Sequence, residues 1–176
     1  MTQAQFQAAA RYWEEKDAAS VKLKPTRLRA MAEAYIQARN TCALATGSGA
    51  YVRCTPMEYS YHHGFFWMFS EGGKKFIGLS ENPNVCLAIF DGYTGFQNLH
   101  GMQIMGTAQV VEPFSPDYLA HAAYKGISLD FLKGRETPMY LIRVRPVSME
   151  CLFSDCKALG CGPRQTLLLA GEGEQP

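Results

Sequence analysis

Apolar positions change their spacing several times along this chain. From residue 4 to 19 they recur at helical intervals, with Phe6, Ala9, Ala10, Trp13 and Lys16 tracing one side. Lys24-Pro25-Thr26 interrupts, and Pro25 suits the first turn of a second helix that runs to about Arg39. Its stripe is Leu28, Met31, Ala32, Tyr35 and Ile36, with Asn40 as the stop. Beyond it the period falls to two. Thr41–Thr46 is a short apolar run closed by Gly47-Ser48-Gly49, a hairpin signal. In Tyr51–Thr55, Val52 and Cys54 face one way and Arg53 and Thr55 the other. Pro56 then marks an edge strand or a bulge.

Further strands are expected over Met57–Tyr61, Phe65–Phe69, Val85–Phe90, Met102–Val111 and Tyr140–Phe153, the last bent at Pro146. Short helices are expected after Gly73, over Pro116–Lys125 and over Ser128–Lys133. The glycine-ended tail from Gly171 reads as disordered. In Phe65–Phe69 both alternating faces are apolar, so both must be covered, one by a barrel interior and the other by a subunit contact. These elements predict a mainly β (α+β) protein, a small closed or nearly closed β-barrel with peripheral helices. The expected division is N-terminal helices over 1–40, a barrel over 41–155 and a tail over 156–176, within a single domain.

Composition narrows the function. A net charge of +1 across 176 residues argues against a broad nucleic-acid surface. There is no basic segment followed by an apolar run at the start, and no stretch long enough to span a bilayer, so cytoplasm is the expectation. The six cysteines read as buried, reduced thiols, with Cys42, Cys54 and Cys86 inside apolar strands. Of the histidines, His62 and His63 flank a turn and are expected to be exposed. No pair has metal spacing, and no metal is assigned. Arg143 and Arg145 share a strand face and read as solvent-exposed.

The stretch with the most chemistry is Ser70-Glu71-Gly72-Gly73-Lys74-Lys75, where a strand ends in a glycine turn and opens a helix. Lysine is unfavourable at the positive end of a helix. Two of them there read either as a solvated helix start or as partners for an anion. The two glycines and the strand residue Arg53 favour the anion, whose phosphate oxygens backbone amides would also face. Arg53 suits phosphate because its guanidinium is a planar fork. Tyr93 and Phe96, in the glycine-containing loop 91–101, are candidates for covering a bound ring or substrate. No Ser/His/Asp or Cys/His arrangement is visible.

Asn40–Thr46, Arg53-Cys54-Thr55-Pro56, Phe69–Lys75, Glu81–Val85 and Gly106-Thr107-Ala108, in that order and at those spacings, resemble the pyridoxamine 5'-phosphate oxidase-related split barrel over roughly residues 36–112. The resemblance implies a six-stranded Greek-key barrel and a homodimer with FMN at the subunit interface. It implies that Arg53, Lys74 and Lys75 hold the FMN phosphate, and that Thr55, Phe69 and Ser70 line the ring or ribityl chain, partly through backbone. The family's flavin-contacting glutamine falls at Gly101 here, with Gln103 two residues on. Glu58 stands where the oxidase has lysine, and the C-terminal Arg-x-His of the oxidase has no counterpart. The implied function is an FMN-dependent oxidoreductase with an unidentified small substrate, close to the nitroimidazole-reductase or general-stress branch. The alternatives are a flavin or haem carrier of the same fold and, ranked last, a deazaflavin enzyme.

Overall fold

A computed structural model describes residues 1–169. Helix α1 (Gln3–Ala18) is opened by a capping box, in which Gln5 N–H donates to Thr2 Oγ1 and Thr2 N–H to Gln5 Oε1. It nevertheless buries no residue, and Phe6 and Trp13 of the expected stripe lie exposed. Helix α2 (Pro25–Gln37) is the reverse case. It has no side-chain cap but buries Leu28, Ala32, Tyr35 and Ile36. A fully buried Leu or Ile stabilises by about 1.5–3 kcal/mol and a missing cap costs about 1 kcal/mol, so packing decides.

The strands are β1 (Thr41–Ser48), β2 (Tyr51–Glu58), β3 (Ser60–His62), β4 (Phe65–Ser70), β5 (Asn84–Phe90), β6 (His100–Val111), β7 (Tyr140–Phe153) and β8 (Arg164–Leu168). They form one antiparallel sheet in the order β2-β1-β5-β6-β7-β4-β3, with β8 also on β7. The long strands β1, β2 and β4–β7 curl round a core that includes Leu44, Phe66, Met68, Leu87, Ile104 and Val144, giving a split β-barrel. Pro56 does lie in an end strand of the sheet, β2, where its missing N–H costs no ladder bond.

The bend at Pro146 is where β7 changes partners. Residues 140–144 pair with β4 and residues 148–152 with β8, while β6 follows along the opposite edge. The β6–β7 register shifts between Met105 and Gly106. Gly106 faces Pro146 and Met105 faces Ser148, which leaves Val147 as the extra residue. A Cβ on Gly106 would lie 2.7 Å from Arg145 O and 2.7 Å from Val144 Cγ1, so glycine is required for the two backbones to approach.

Several expectations need correcting. Residues 156–168 are not a tail apart from the barrel, because a 3-10 helix (Ser154–Leu159) leads into β8, which pairs with β7. The tail from Gly171 lies outside the described residues. The outer face of Phe65–Phe69 is covered by this chain itself. Helices α4 (Pro116–Tyr124) and α5 (Leu129–Lys133) pack Tyr118, Ala122 and Leu132 against Trp67, Val111 and Leu141 in a second core. All six cysteines are free. Cys42, Cys151 and Cys156 are buried and Cys86 and Cys161 half-buried, but Cys54, expected to be buried, is exposed because it faces outward on the end strand β2.

Candidate anion-binding site at the β4–α3 corner

The β1–β2 hairpin turns on Gly49, whose φ of 56° lies in the left-handed region, and its register sets Thr46 opposite Arg53 and Leu44 opposite Thr55. Residues directly opposite in an antiparallel pair share a face. Arg53, Thr55 and Thr46 therefore lie on the side that carries Leu44, at the end of the barrel nearest the β1–β2 turn. Helix α3 (Lys75–Leu79) caps this end. Its Gly78 sits so close that a Cβ there would lie 3.0 Å from Gly47 N and 3.2 Å from Thr46 Oγ1. Asn82 Nδ2 donates to Gly47 O at 3.0 Å and Tyr51 Oη donates to Lys74 O at 3.0 Å, fastening the segment after α3 and the residue that opens it to the hairpin.

The loop from β4 to α3 is folded by Ser70, whose hydroxyl accepts from Gly72 N–H and donates to Gly72 O, both at 3.1 Å. Gly72 and Gly73 have φ of 117° and 100°, a backbone path that side chains strain against. The path leads to Lys74 as helix N-cap and Lys75 as the first helical residue. Lys74 is exposed. Lys75 is buried, and its amine donates to Gly72 O. Burial first, and the charge of Arg53 second, hold the Lys75 amine below the ordinary lysine range. Arg53, Lys74 and Lys75 enter no ion pair among the described residues. The hydroxyls of Thr46 and Thr55 are buried without a hydrogen-bond partner. A buried, unsatisfied polar group costs about 1–3 kcal/mol, and two cations gathered without a carboxylate add repulsion. This donor set fits a compact, multiply charged anion such as a phosphate ester. Helix α3 has only five residues. Its dipole is correspondingly small, and the side-chain cations and the glycine turn supply the attraction.

The structure thus brings together Arg53, Thr55, Ser70, Lys74 and Lys75 of the expected site. Thr46 joins them; its signal was the hairpin turn, which fixes the residue opposite Arg53. Phe69 does not join through its side chain, which points to the other face and packs on Tyr118 and His121 with ring centroids 5.4 and 5.2 Å away. Gln103 is exposed on the outer face of β6 and pairs with Ala88 and Glu150. From β2 to β6 is three strand spacings, about 14 Å. The loop after Phe90 lies at the opposite end of β5 from α3, held by Arg39, whose Nε and Nη2 each donate to Asp91 at 2.7 Å. Tyr93 and Phe96 on it are exposed.

A second constellation, unforeseen in the sequence, lies outside the barrel. His62 is half-buried rather than exposed. Its Nε2 is 3.0 Å from Nδ1 of His121, and the two rings are nearly coplanar. Trp67 and Tyr124 lie against His62, their ring centroids 5.2 and 4.2 Å from it. Burial, then the His62 ring and Lys125, push the His121 imidazole down to about 4. A cleft of about 430 Å³ beside the pair is also lined by Arg143 and Asp117. Arg143 is therefore not a free surface cation, since its Nη1 donates to Asp117 at 2.7 Å. Among the described residues no group of three or more His, Cys, Asp or Glu side chains is arranged to hold a metal ion.

Residues 28–150 match the family model described as pyridoxamine 5'-phosphate oxidase. No curated protein matches the sequence. Among solved structures, a FAD-binding protein from Mesorhizobium loti is similar with a TM-score of 0.57 at 16% identity, over 74% of this chain and 93% of that one. A Listeria innocua protein named for pyridoxamine 5'-phosphate oxidase is similar with a TM-score of 0.55 at 20% identity, over 71% and 98%. The haem storage protein of Vibrio cholerae is similar with a TM-score of 0.56 at 17% identity, over 72% and 91%. These likenesses carry the fold. The family model, matched across most of the chain and containing the whole β1–β2 hairpin and the β4–α3 corner, carries the assignment: this chain belongs to the pyridoxamine 5'-phosphate oxidase family.

Proposed function

We propose that the protein is an FMN-binding flavoprotein acting as an oxidoreductase on a small substrate. The observation that carries this reading is the buried Lys75 amine within electrostatic reach of Arg53, with no carboxylate among the described residues paired to either. A phosphate monoester brings about −1.5 to −2 charges at pH 7, which suits Arg53, Lys74 and Lys75 together. Arg53 offers a fork of donors, Lys74 and Lys75 offer point charges, and Thr46 and Thr55 offer unpartnered hydroxyls, while the Ser70 hydroxyl is spent on folding the Gly72 turn. When bound, the flavin ring supplies the two-electron redox chemistry, and the protein's part is binding, orientation and exclusion of water. No side chain at the corner is arranged as a general acid or base pair.

The reading includes a second copy of the chain. The outer face of the sheet exposes Val52, Phe90, Met105 and Leu168 around the small side chains Ala43, Ala45 and Ala88. An apolar face of this kind is expected to be covered. Gln103 stands on that face, so it reaches a flavin only if the cofactor lies between two copies. Among the described residues no helix is long and apolar enough to cross a membrane; cytoplasm is the proposed location.

The test is the visible spectrum of the purified protein. A flavin spectrum that bleaches with NADH or NADPH supports the oxidoreductase. The likeness to a haem storage protein favours a second reading, a carrier of the same fold. A bound chromophore that no nicotinamide reduces would select it.

A further inference from the structure

Glu71 stands three residues before Lys74, in the same loop, yet its carboxylate pairs with neither lysine. It is taken by Arg135, in the connector after α5. Arg135 is itself held in place. Its Nε donates to Thr137 O at 3.3 Å, and its guanidinium lies 5.5 Å from the ring centroid of Phe131. The connector follows α5, which is anchored in the second core through Leu132. The guanidinium is mostly sheltered, whereas the Glu71 side chain is 69% exposed. The loop's only acidic residue is thus drawn outward by a cation on a separate element, while the cations beside it go without a carboxylate.

A glutamate so close in sequence is the natural counter-ion for Lys74 and Lys75. Left free, it would compete with any incoming anion in proportion to its high effective concentration. We propose that Arg135 is a positioning residue: it holds the Glu71 carboxylate away from the Arg53–Lys74–Lys75 corner and so keeps the corner open to a phosphate group. The inference rests on the corner being a phosphate site, and it assigns to residues outside that site the control of its affinity. If the pair were only a brace between α5 and the loop, loss of either partner would loosen the loop alike. If Arg135 restrains a competitor, removing Glu71 does no harm and cancels the loss of Arg135.

The experiment is FMN titration of the purified full chain, followed by quenching of flavin fluorescence, on wild type, Arg135→Gln, Glu71→Gln and the double variant. Arg135→Gln is expected to weaken binding three- to tenfold, with the deficit shrinking at high salt because exposed charges are screened. Glu71→Gln is expected to bind as well as wild type or up to threefold tighter, and the double variant to return to within twofold of Glu71→Gln. Arg135→Lys, which keeps the charge, is expected to stay within twofold of wild type. A double variant as weak as Arg135→Gln, an Arg135→Gln protein that binds normally, or an Arg135→Lys protein as weak as Arg135→Gln would overturn the proposal. Wild-type protein that takes up no FMN would instead overturn the reading of the corner, and this inference with it.

Discussion

The buried amine of Lys75 has the guanidinium of Arg53 as its electrostatic neighbour, and no carboxylate of the described chain pairs with either. In the free protein both burial and Arg53 disfavour the lysine's charge. A bound phosphate would favour it, so binding raises the Lys75 pKa. Affinity is then full below the lowered free-state pKa and falls as pH climbs from there toward the bound-state pKa. We expect FMN affinity to decline on the alkaline side earlier than an ordinary lysine would dictate. Lys75→Arg, which stays charged, should flatten that decline. Titrations from pH 7 to 10 check it, and a wild-type affinity flat to pH 10 would contradict it.

Gly106 and Pro146 meet at the bulge where β7 changes partners. Gly106→Ala places a methyl 2.7 Å from the Arg145 carbonyl and from Val144 in the core. The obstacle is mainly backbone, so the sheet must part. We expect a loss at or above the upper end of the 1–3 kcal/mol usual for overpacking, read as a lower urea midpoint with unchanged slope. A loss below 0.5 kcal/mol, on the order of a surface substitution, would show that the bulge can relax.

The His62–His121 pair predicts acid sensitivity. His121 is held near 4 in the folded protein, against about 6.5 unfolded. The unfolded chain therefore binds the proton first as pH falls. Stability is full above about 6.5 and is lost progressively down to about 4, by roughly 2 kcal/mol at pH 5. His62, also lowered by burial, adds in the same direction. Urea midpoints at pH 7.5 and 5 should differ for wild type and differ much less for His121→Gln. Equal dependence in both proteins would remove His121 as the cause.

How far the sequence carried depends on where each residue's partner lies. Pro56 and Pro146 announced their positions because proline removes a donor whatever surrounds it. The glycine turn before Lys74 was legible for the same local reason. The role of Phe65–Phe69 was half legible. Alternation shows that both faces are covered, but not that α4 and α5, some fifty residues on, do the covering. His62 looked exposed because its partner His121 lies 59 residues away. Strand β8 was hidden because its buried face carries Gln165. The polar side chain there is satisfied by Leu23 N–H at 3.0 Å and Gly162 O at 2.6 Å. Gln103 and Phe69 were expected from a family pattern. Their strand faces turn both side chains away from the phosphate corner.

The central claim is that Arg53 and Lys75 together hold the phosphate of a flavin. The most direct test is equilibrium binding of FMN and of riboflavin, which lacks the phosphate, to wild type, Arg53→Gln and Lys75→Met. The account predicts tight FMN binding by wild type and at least tenfold weaker binding of riboflavin. Each substitution should weaken FMN at least tenfold and leave riboflavin nearly unchanged. Wild-type protein that binds FMN and riboflavin equally, or binds neither, would contradict it.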